Sequence, residues 1–500
     1  MSSSSSIAGI SVKSVGDNKH EVVFSGDVVD DDVVLPTISN QLDRVMSVMS
    51  EKFPEKGPEG AEEKPAAPPS PFPPGFRPPP DGGYGWVSVG CAMAINATSW
   101  GVNSSFAVFL AHYLRYQTFA RATATDYAFV GGLALGTGFL FAPLYIKVTQ
   151  YVDLRILLFI GACMQTGSQV SASFAKEIWH LYLSQGLLQG LALCVLFVPT
   201  INIVPMWFLK KRSLANGLSV AGSGVGGVLF ILTTQRWINI WGLEWAFRAT
   251  GIMTFVINTC AAILIREPNP GFKMKFPCFN WKLFFHYECA LIFAWGFFSL
   301  AGYIVMLYSV SASGLAIGLT NDQATNISAI MSGSMAIGRP LVGYLSDKFG
   351  RINMTLIAAA LIVIFDLCIW LPATSYGVYI FYAVFNGLIV GTVWVAVGPI
   401  GAEVGGLQLL PTLAGMIFTV FSIPAFFSEV IALKIRRHNP TKPFVWTQVF
   451  AAFAFIFSAI CLLFLREVRV RKALAKQREE SADTTPMPTF WQRFCSLGKY

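Results

Sequence analysis

Residues 206–227 read MWFLKKRSLANGLSVAGSGVGG and join three consecutive cations to a segment that is rich in glycine. The cations Lys210, Lys211 and Arg212 follow an apolar run, and five glycines stand among the next fifteen residues. In water such a helix would be weak, because each interior glycine costs about 1 kcal/mol relative to alanine. Within a bilayer, small residues instead let helices approach closely, and cations mark the ends of spanning segments. The stretch therefore predicts a membrane-spanning helix that begins at a cationic loop.

The composition of the whole chain agrees with a membrane location. Of its 500 residues, 54% are hydrophobic and 13% are charged, whereas soluble domains have about 25% charged residues. The formal net charge of +8 does not indicate a nucleic-acid partner, because lysine and arginine cluster in short segments between apolar runs. The nine cysteines are scattered singly, without the spacing of a zinc site or a disulfide framework. No metal site is expected.

Apolar runs of about 20 residues, the length that crosses a bilayer, follow one another from Trp86 onward. The predicted spans are 86–110, 124–146, 153–174, 178–206, 213–235, 246–265, 283–311, 323–346, 352–372, 375–400, 409–433 and 444–465. They predict an all-α membrane protein with twelve transmembrane helices in two six-helix halves.

The polar segments complete the predicted organisation. Residues 1–80 are rich in Ser, Asp, Glu and Pro and predict a disordered arm, with no cleavable signal peptide at its start. Lysine and arginine are concentrated in alternate loops, and this distribution predicts that both termini are cytoplasmic. The loop at 434–442 is an exception, because it is also rich in cations on the opposite side. The predicted parts are an N-terminal arm at 1–80, a first half at 81–265, a linker at 266–282, a second half at 283–466 and a C-terminal tail at 467–500. The expected partners are the lipid bilayer and, for the N-terminal arm, cytoplasmic proteins.

The glycine-rich stretch has two interpretations. Lys210, Lys211 and Arg212 are attracted to anionic headgroups, and Gly217, Ala221, Gly222, Gly224, Gly226 and Gly227 form a small-residue face on the next span. Helix packing and an orientation signal explain most of the stretch. The alternative is that the same face is a moving surface between two rocking halves.

A second segment, GRPLVGYLSDKFGR at 338–351, joins the eighth and ninth predicted spans. Its pattern resembles the inter-helix signature of the major facilitator superfamily, in which an aspartate pairs with cations and a helix end to hold one conformation. The residues that match this signature are Gly343, Asp347, Lys348, Gly350 and Arg351. Asp347 is expected at the end of a short turn, with Lys348 and Arg351 as cations beside it. The corresponding stretch of the first half, PLYIKVTQYVDLR from Pro143, has Gln150 at the position of the aspartate. For Asp347 the alternative is an ordinary solvated charge.

Two further stretches narrow the resemblance. DGGYGW at 81–86 and WFLKKRSLANGLSVAGS from Trp207 are similar to the two signatures of the monocarboxylate transporter family. TSWGVNSSFAVFLAHYL, DYAFVGGLA and EVGGLQLLP resemble its fungal branch, the monocarboxylate-permease-like proteins of yeasts. The resemblance implies the major facilitator fold and movement of a solute through a midplane site. From the residues themselves, Tyr84 and Trp86 are expected to anchor DGGYGW at the headgroups.

Arg339 is the leading candidate for a binding residue, because a charge inside a span is costly unless it is paired or hydrated. In the family that the chain resembles, the matching arginine binds the substrate carboxylate, a task that suits the planar guanidinium. A merely structural arginine that snorkels toward the surface is the alternative. The chain departs from the proton-coupled members at two positions, with Met335 in place of an aspartate and Ser104, beside Asn103, in place of a lysine. The coupling ion therefore stays open.

Other candidates are weaker. Asp366 and Glu429 are possible coupling residues, although Asp366 could equally be a packing residue on a peripheral span. Tyr303, Tyr308 and Trp394 could line a cavity, although aromatic residues on spans more often contact lipid or the core.

The sequence thus predicts a secondary transporter of a small organic solute, with a carboxylate as the leading class, in a plasma or vacuolar membrane. The alternatives are a transporter of a larger or neutral metabolite such as a vitamin, and a non-transporting membrane sensor. No nucleotide-binding loop, metal cluster or paired nucleophile and base is seen, so neither enzymatic activity nor a cofactor is expected.

Overall fold

The computed structural model describes residues 6–7, 10–14, 20–24, 79–116, 119, 122–269, 277, 279–435 and 443–481. The chain divides into two units, Met1–Pro71 and Phe72–Tyr500. The described part of the first unit is an antiparallel sheet of three short strands, β1 (Ser6–Ile7), β2 (Ile10–Ser14) and β3 (His20–Phe24), paired in that order. Alternating β-branched residues account for the pairing of β2 with β3, in which Val12 lies opposite Val22. The rest of the predicted arm lies outside the described residues, and its disorder stays a prediction.

The second unit is helical. The helices of its first half are Gly85–Tyr116, Ala124–Leu140, Ala142–Thr149, Leu154–Ala172, Ile178–Leu181, Gln189–Trp207 and Arg212–Leu264, with a π-turn at Tyr182–Leu188. Those of its second half are Lys282–Phe285, Tyr287–Ala316, Asn321–Phe349, Arg351–Phe365, Tyr376–Val390, Thr392–Ile435 and Val445–Ser481, with a π-turn at Asp366–Trp370.

These helices form twelve consecutive spans within the described residues. Two long helices are each broken at a glycine with positive φ, Gly242 (82°) between spans 5 and 6 and Gly406 (67°) between spans 10 and 11. Ala124–Leu140 and Ala142–Thr149 together form span 2, and each π-turn continues the span beside it. By length and apolarity alone, seven of the described helices could cross a membrane, or eight if the bent pair counts as one. The all-α fold is confirmed, and the predicted spans overlap the observed ones throughout.

Two boundaries differ from expectation. Span 12 does not end near residue 465 but continues as a helix to Ser481, because the residues beyond the bilayer favour helix and include the ion pair of Arg471 with Glu467. Asp347, expected at the end of a short turn, lies inside span 8. The turn itself is reduced to Gly350, whose φ of 95° favours glycine.

The glycines of span 5 face two different neighbours. The backbones of Met93 and Ala97 in span 1 leave no room for a Cβ on Gly222 or Gly226. Gly217 and Gly224 instead face span 8 of the other half. A Cβ on Gly217 would lie 2.5 Å from the Arg339 carbonyl oxygen. One face of the helix therefore packs within the first half and another face contacts the second half. That the second face moves stays a prediction.

Candidate functional site

A cavity of about 220 Å³ lies between the two halves. Its volume is just below the range of about 300–1,000 Å³ that is typical of pockets for drug-sized ligands, which suits a small solute. All seven residues predicted to contact a substrate border it: Asn103, Ser104, Tyr303, Tyr308, Met335, Arg339 and Trp394. The structure brings them together, and their role in binding stays a prediction.

Arg339 lies at the base of this cavity and is only 5% exposed. Its Nη1 donates hydrogen bonds to the carbonyl oxygen of Val220, at 2.6 Å, and to the Ser223 hydroxyl. The guanidinium of span 8 thus reaches across to span 5 of the first half. Gly391 makes room for it, because a Cβ there would lie 2.6 Å from the Arg339 Nε.

Met335 and Tyr303 lie beside this arginine. The Met335 sulfur is 3.8 Å from the Arg339 Nη2 and 3.9 Å from the Tyr303 hydroxyl. A thioether is only a weak hydrogen-bond acceptor and carries no charge. The second nitrogen of the guanidinium fork therefore has no anionic partner in the described residues and borders the cavity.

Aromatic rings form much of the cavity wall. The rings of Trp100 and Trp394 are 5.2 Å apart between centroids, so they join span 1 to span 10 across the two halves. Tyr303 approaches Trp394 edge-on at 6.0 Å, and Phe139 and Phe197 complete the cluster. Such a wall favours a ligand with an apolar or aromatic body.

Span 1 contributes two of the predicted polar residues to the wall. Asn103 is half-buried and Ser104 is exposed, and both border the cavity. The Ser104 hydroxyl donates to the carbonyl oxygen of Trp100 at 3.0 Å. Neither side chain carries a charge, so the anion-binding capacity of the described wall rests on Arg339.

We call the side of the molecule on which span 1 begins and span 12 ends the termini side. The two halves make a second contact between the cavity and this side. The Asp347 carboxylate accepts hydrogen bonds from the backbone N–H groups of Ser213, at 3.1 Å, and Leu214, at 2.9 Å. These N–H groups belong to the first turn of span 5, where the helix dipole favours a negative charge. Asp347 of one half thus caps a helix of the other half, and the cavity is closed on the termini side.

Arg351 adds to this contact, which we call the termini-side gate (residues 209–217, 339–351 and 403). It lies 3.6 Å from Asp347, forms a 2.8 Å ion pair with Glu403 and donates to the Leu209 carbonyl oxygen at 3.1 Å. The sequence predicted that both Lys348 and Arg351 would supply cations beside Asp347, and for Lys348 this is wrong. Lys348 is exposed and lies over the Phe349 ring at 5.6 Å, because the helix turns its side chain away.

DGGYGW contacts the cationic loop directly. The Asp81 carboxylate accepts from the backbone N–H groups of Leu209, at 2.6 Å, and Lys210, at 2.8 Å. Tyr84 donates to the Leu264 carbonyl oxygen at 2.7 Å, and Trp86 is 37% exposed. The two stretches that carry the family resemblance therefore form one structural unit, a contact that headgroup anchoring alone does not explain.

Of the two candidates for coupling, Asp366 lies away from the cavity, and Glu429 has a side chain outside the described residues. Asp366 is fully buried outside the cavity, where its carboxylate accepts a hydrogen bond from Tyr382 at 2.7 Å. Glu429 belongs to span 11, but its side chain lies outside the described residues, so its role stays a prediction.

Sequence reasoning missed several participants. Ser223 and the carbonyl of Val220 bind Arg339, and Glu403 pairs with Arg351. A weak signal existed for Ser223, which stands among the glycines that contact span 8. The Val220 contact depends on how the halves meet, and the pair between Arg351 and Glu403 depends on how spans 9 and 10 pack within the second half. Sequence spacing contains neither.

Comparisons with known proteins agree with this architecture. Residues 89–429 match the family model described as the Major Facilitator Superfamily. The chain belongs to this superfamily. It is therefore an integral multi-pass membrane protein.

Relatives that resemble the chain bear transporter names. The probable transporter MCH2 of Saccharomyces cerevisiae is 32% identical over 414 residues, which make up 80% of this chain and 88% of that protein. The uncharacterized transporter ESBP6 of the same yeast is 33% identical over 416 residues, 80% of this chain and 61% of that protein. The fujikurins efflux protein of Gibberella fujikuroi is 28% identical over 401 residues, 80% of this chain and 86% of that protein. The chain is a secondary transporter of a small solute rather than an enzyme.

Proposed function

We propose that this transporter moves a small organic anion whose carboxylate binds Arg339. The observation that carries the proposal is the position of the guanidinium, buried at the base of the cavity between the halves. Its Nη1 is bonded to span 5, and Nη2 lies beside the Met335 thioether. The uncharged Tyr303 phenol is a further neighbour, and the guanidinium has no anionic partner among the described residues. A carboxylate would be a stronger partner than that sulfur, because hydrogen bonds between ions are about twice as strong as neutral ones.

We also propose that the chain belongs to the monocarboxylate-transporter-like branch of the superfamily, in its fungal part. Support comes from DGGYGW and the cationic loop, whose contact through Asp81 unites the two stretches that resemble the branch. We further propose that the termini lie in the cytoplasm and that the membrane is the plasma or vacuolar membrane. The cations of the termini side, which include Lys210, Lys211, Lys348 and Arg351, support this orientation.

Coupling in this proposal does not use an acid beside the arginine. Met335 lies 3.8 Å from the guanidinium and cannot take a proton, and Ser104 cannot supply a second positive charge. Transport is therefore facilitated diffusion, or it is coupled through an acid elsewhere, such as Glu429.

A second candidate is a larger or neutral metabolite. The aromatic wall around Trp100 and Trp394 favours it, because such surfaces bind flat apolar bodies without requiring a charge. One relative, the fujikurins efflux protein, is named for the efflux of fujikurins.

Flux through liposomes tests the carboxylate. We expect Arg339→Lys to reduce uptake of a radiolabelled carboxylate such as pyruvate by at least about tenfold, because lysine cannot reproduce the bidentate geometry. Arg236→Lys is the matched control, since Arg236 is exposed on span 5 and does not border the cavity.

Competition separates the two candidates. For an organic-anion transporter, excess unlabelled carboxylate should suppress uptake while its methyl ester does not. Equal competition by the ester, or full flux through a folded Arg339→Lys variant, would exclude the carboxylate site and favour a neutral substrate.

A further inference from the structure

A second polar cluster lies within the C-terminal half, outside the cavity. Its centre is Asp366, which is fully buried and opens the π-turn Asp366–Trp370 of span 9. The Tyr382 hydroxyl donates to the Asp366 Oδ1 at 2.7 Å, and the Asn386 Nδ2 approaches the same oxygen at 3.4 Å. The Asp366 Oδ2 and the Asn386 Oδ1 have no hydrogen-bond partner among the described residues. Single π-turns inside helices often mark functional sites.

The groups around Asp366 are all uncharged at neutral pH. Span 10 presents the phenols of Tyr382 and Tyr379, and span 7 presents Met306 and Ser313. Span 12 presents Gln448, which donates to the backbone of the π-turn. Within the described residues no lysine, arginine or histidine contacts the carboxyl group. An ionised carboxylate held this way would be costly, because a buried charge needs a partner of opposite charge.

The first half has an uncharged pair at the matching positions, and there too one atom of each side chain, the Gln169 Oε1 and the Gln189 Nε2, has no partner among the described residues. Pro143 and Pro340, which occupy matching places in the two halves, are 197 positions apart, and so are Gln169 and Asp366, and Gln189 and Asn386. In the first half the Gln169 amide donates to the Gln189 side-chain oxygen at 3.2 Å. A neutral donor thus occupies the place of Asp366. A protonated Asp366 would reproduce that arrangement by donating from Oδ2 to the Asn386 Oδ1, the two atoms that have no partner.

We propose that Asp366, Tyr382 and Asn386 form a proton-binding site. The carboxylate takes one proton from a solvent hydronium ion: the new O–H bond forms on Asp366, the O–H bond of hydronium breaks, and water is left. The resulting acid donates to Asn386 as Gln169 does to Gln189. In the conformation with the termini-side gate closed, the site is occupied by its proton.

Span 10 links this site to the gate and the cavity. Its Gly387 packs on the Met331 backbone of span 8, where a Cβ would lie 2.8 Å from the carbonyl oxygen, and its Gly391 adjoins Arg339. Loss of the proton would leave an unpaired charge between spans 9 and 10. The population of the closed gate therefore depends on pH through this site.

Infrared spectroscopy of the full chain in nanodiscs tests the proposal directly. Exposed carboxyl groups are ionised at neutral pH, so a protonated-acid carbonyl band there reports buried acids. We expect the wild type to show such a band and Asp366→Asn to lose it, while Gln169→Asn, the matched change in the first half, keeps it. Retention of the full band in Asp366→Asn would overturn the proposal.

A second variant keeps the test valid if Asp366→Asn does not fold. Tyr382→Phe retains the acid but removes its hydrogen bond, so the band should persist at a shifted frequency. An unshifted band would exclude Asp366 as its source.

The link to the gate is tested with distance labels at Lys211 and Lys348, both exposed, in a cysteine-free background. The closed population should vary over about pH 5 to 9, a range in which buried carboxyl groups titrate, and this variation should be lost in Asp366→Asn but kept in Gln169→Asn. An identical pH profile in Asp366→Asn would contradict the proposed link. Neither measurement uses a transported substrate, so both are independent of the carboxylate proposal.

Discussion

Two contacts between helices, which we call seams, join the halves on the termini side: one between spans 5 and 8, the other between spans 2 and 11. The two seams have the same arrangement of proline and glycine but differ in their other residues. In the seam between spans 5 and 8, Gly217 faces Pro340, and a Cβ on the glycine would lie 3.2 Å from the proline Cα. In the seam between spans 2 and 11, Gly415 faces Pro143 with a corresponding distance of 3.4 Å. Each half thus presents a proline to a glycine of the other half, as expected of two related six-helix units.

The seams diverge one and two turns beyond these prolines. The seam between spans 5 and 8 has Gly343 against the backbone of Ser213, followed by Asp347 on the N–H groups of span 5. At the matching positions the seam between spans 2 and 11 has Ile146 and Gln150. The first seam is therefore fixed by backbone contact and a charge, whereas in the second a flexible apolar side chain fills the space. We infer that the first seam is the switch that must break during transport, and that the second can slide.

The largest expected effect comes from breaking the backbone contact of the first seam. Gly343→Ala places a methyl group against the Ser213 carbonyl and the Leu214 backbone, neither of which can rotate away. Overpacking of this kind costs about 1–3 kcal/mol, and with rigid backbone on one side we expect the upper part of that range. The closed population should fall by about 30-fold or more, measured from the distance between labels at Lys211 and Lys348.

Gly333→Ala is the matched control for this prediction. Gly333 lies on the same span, but no atom comes within 4 Å of the position of its Cβ. The control should leave both the label distance and the flux close to wild type. Equal effects of the two substitutions would mean that helix propensity, not the contact with Ser213, decides the outcome.

Asp347→Asn removes the charge from the same seam and should have the next largest effect. The amide oxygen can still accept one hydrogen bond, but the second bond and the interaction with the helix dipole are lost. Hydrogen bonds to charged groups contribute about 1.5–3 kcal/mol, so we expect a roughly tenfold loss of the closed population. Transport rate should change while equilibrium substrate affinity changes little.

Binding calorimetry measures the substrate affinity and the label distances measure the closed population, so together they check whether Asp347 acts on the gate and not on substrate binding. An affinity loss comparable with the rate change, at an unchanged label distance, would place Asp347 in substrate binding instead of gating.

The sequence predicted the fold well because its signals are local. Apolar length located twelve spans, and the prolines Pro143 and Pro340 aligned the two halves. The candidate residues for the cavity also proved to be neighbours. The resemblance supplied the positions of Arg339, Met335 and Ser104, and the aromatic candidates came from the residues themselves. The partners of those residues could not be predicted in this way. Ser223 binds Arg339 only because spans 5 and 8, which are far apart in the chain, meet there. Glu403 binds Arg351 because the end of span 10 lies beside the start of span 9.

Lys348 illustrates the same limit. Adjacent positions in a helix point in different directions, so Lys348, next to Asp347, is exposed. Arg351 follows the turn at Gly350 and lies 3.6 Å from Asp347. A loop, as the sequence suggested, would have allowed both cations to approach. The helical conformation of residues 347–349 decides between them.

The smallest expected effect is Gly415→Ala, the counterpart of the first prediction in the second seam. Here the nearest atom to an added Cβ is the Ile146 Cδ1, at 2.7 Å, which is the end of a side chain that can adopt another rotamer. An off-rotamer adjustment costs about 0.5–1.5 kcal/mol, so the closed population should change by about tenfold at most. Adding Ile146→Val, which removes that methyl group, should restore the wild-type label distance. No side-chain substitution can rescue Gly343→Ala in the same way, because the atoms nearest to its added methyl group belong to the backbone of Ser213 and Leu214. Gly415→Ala could instead open the gate as far as Gly343→Ala does, without rescue by Ile146→Val. That result would show that the second seam is as rigid as the first, and it would contradict the inference that spans 2 and 11 slide past each other.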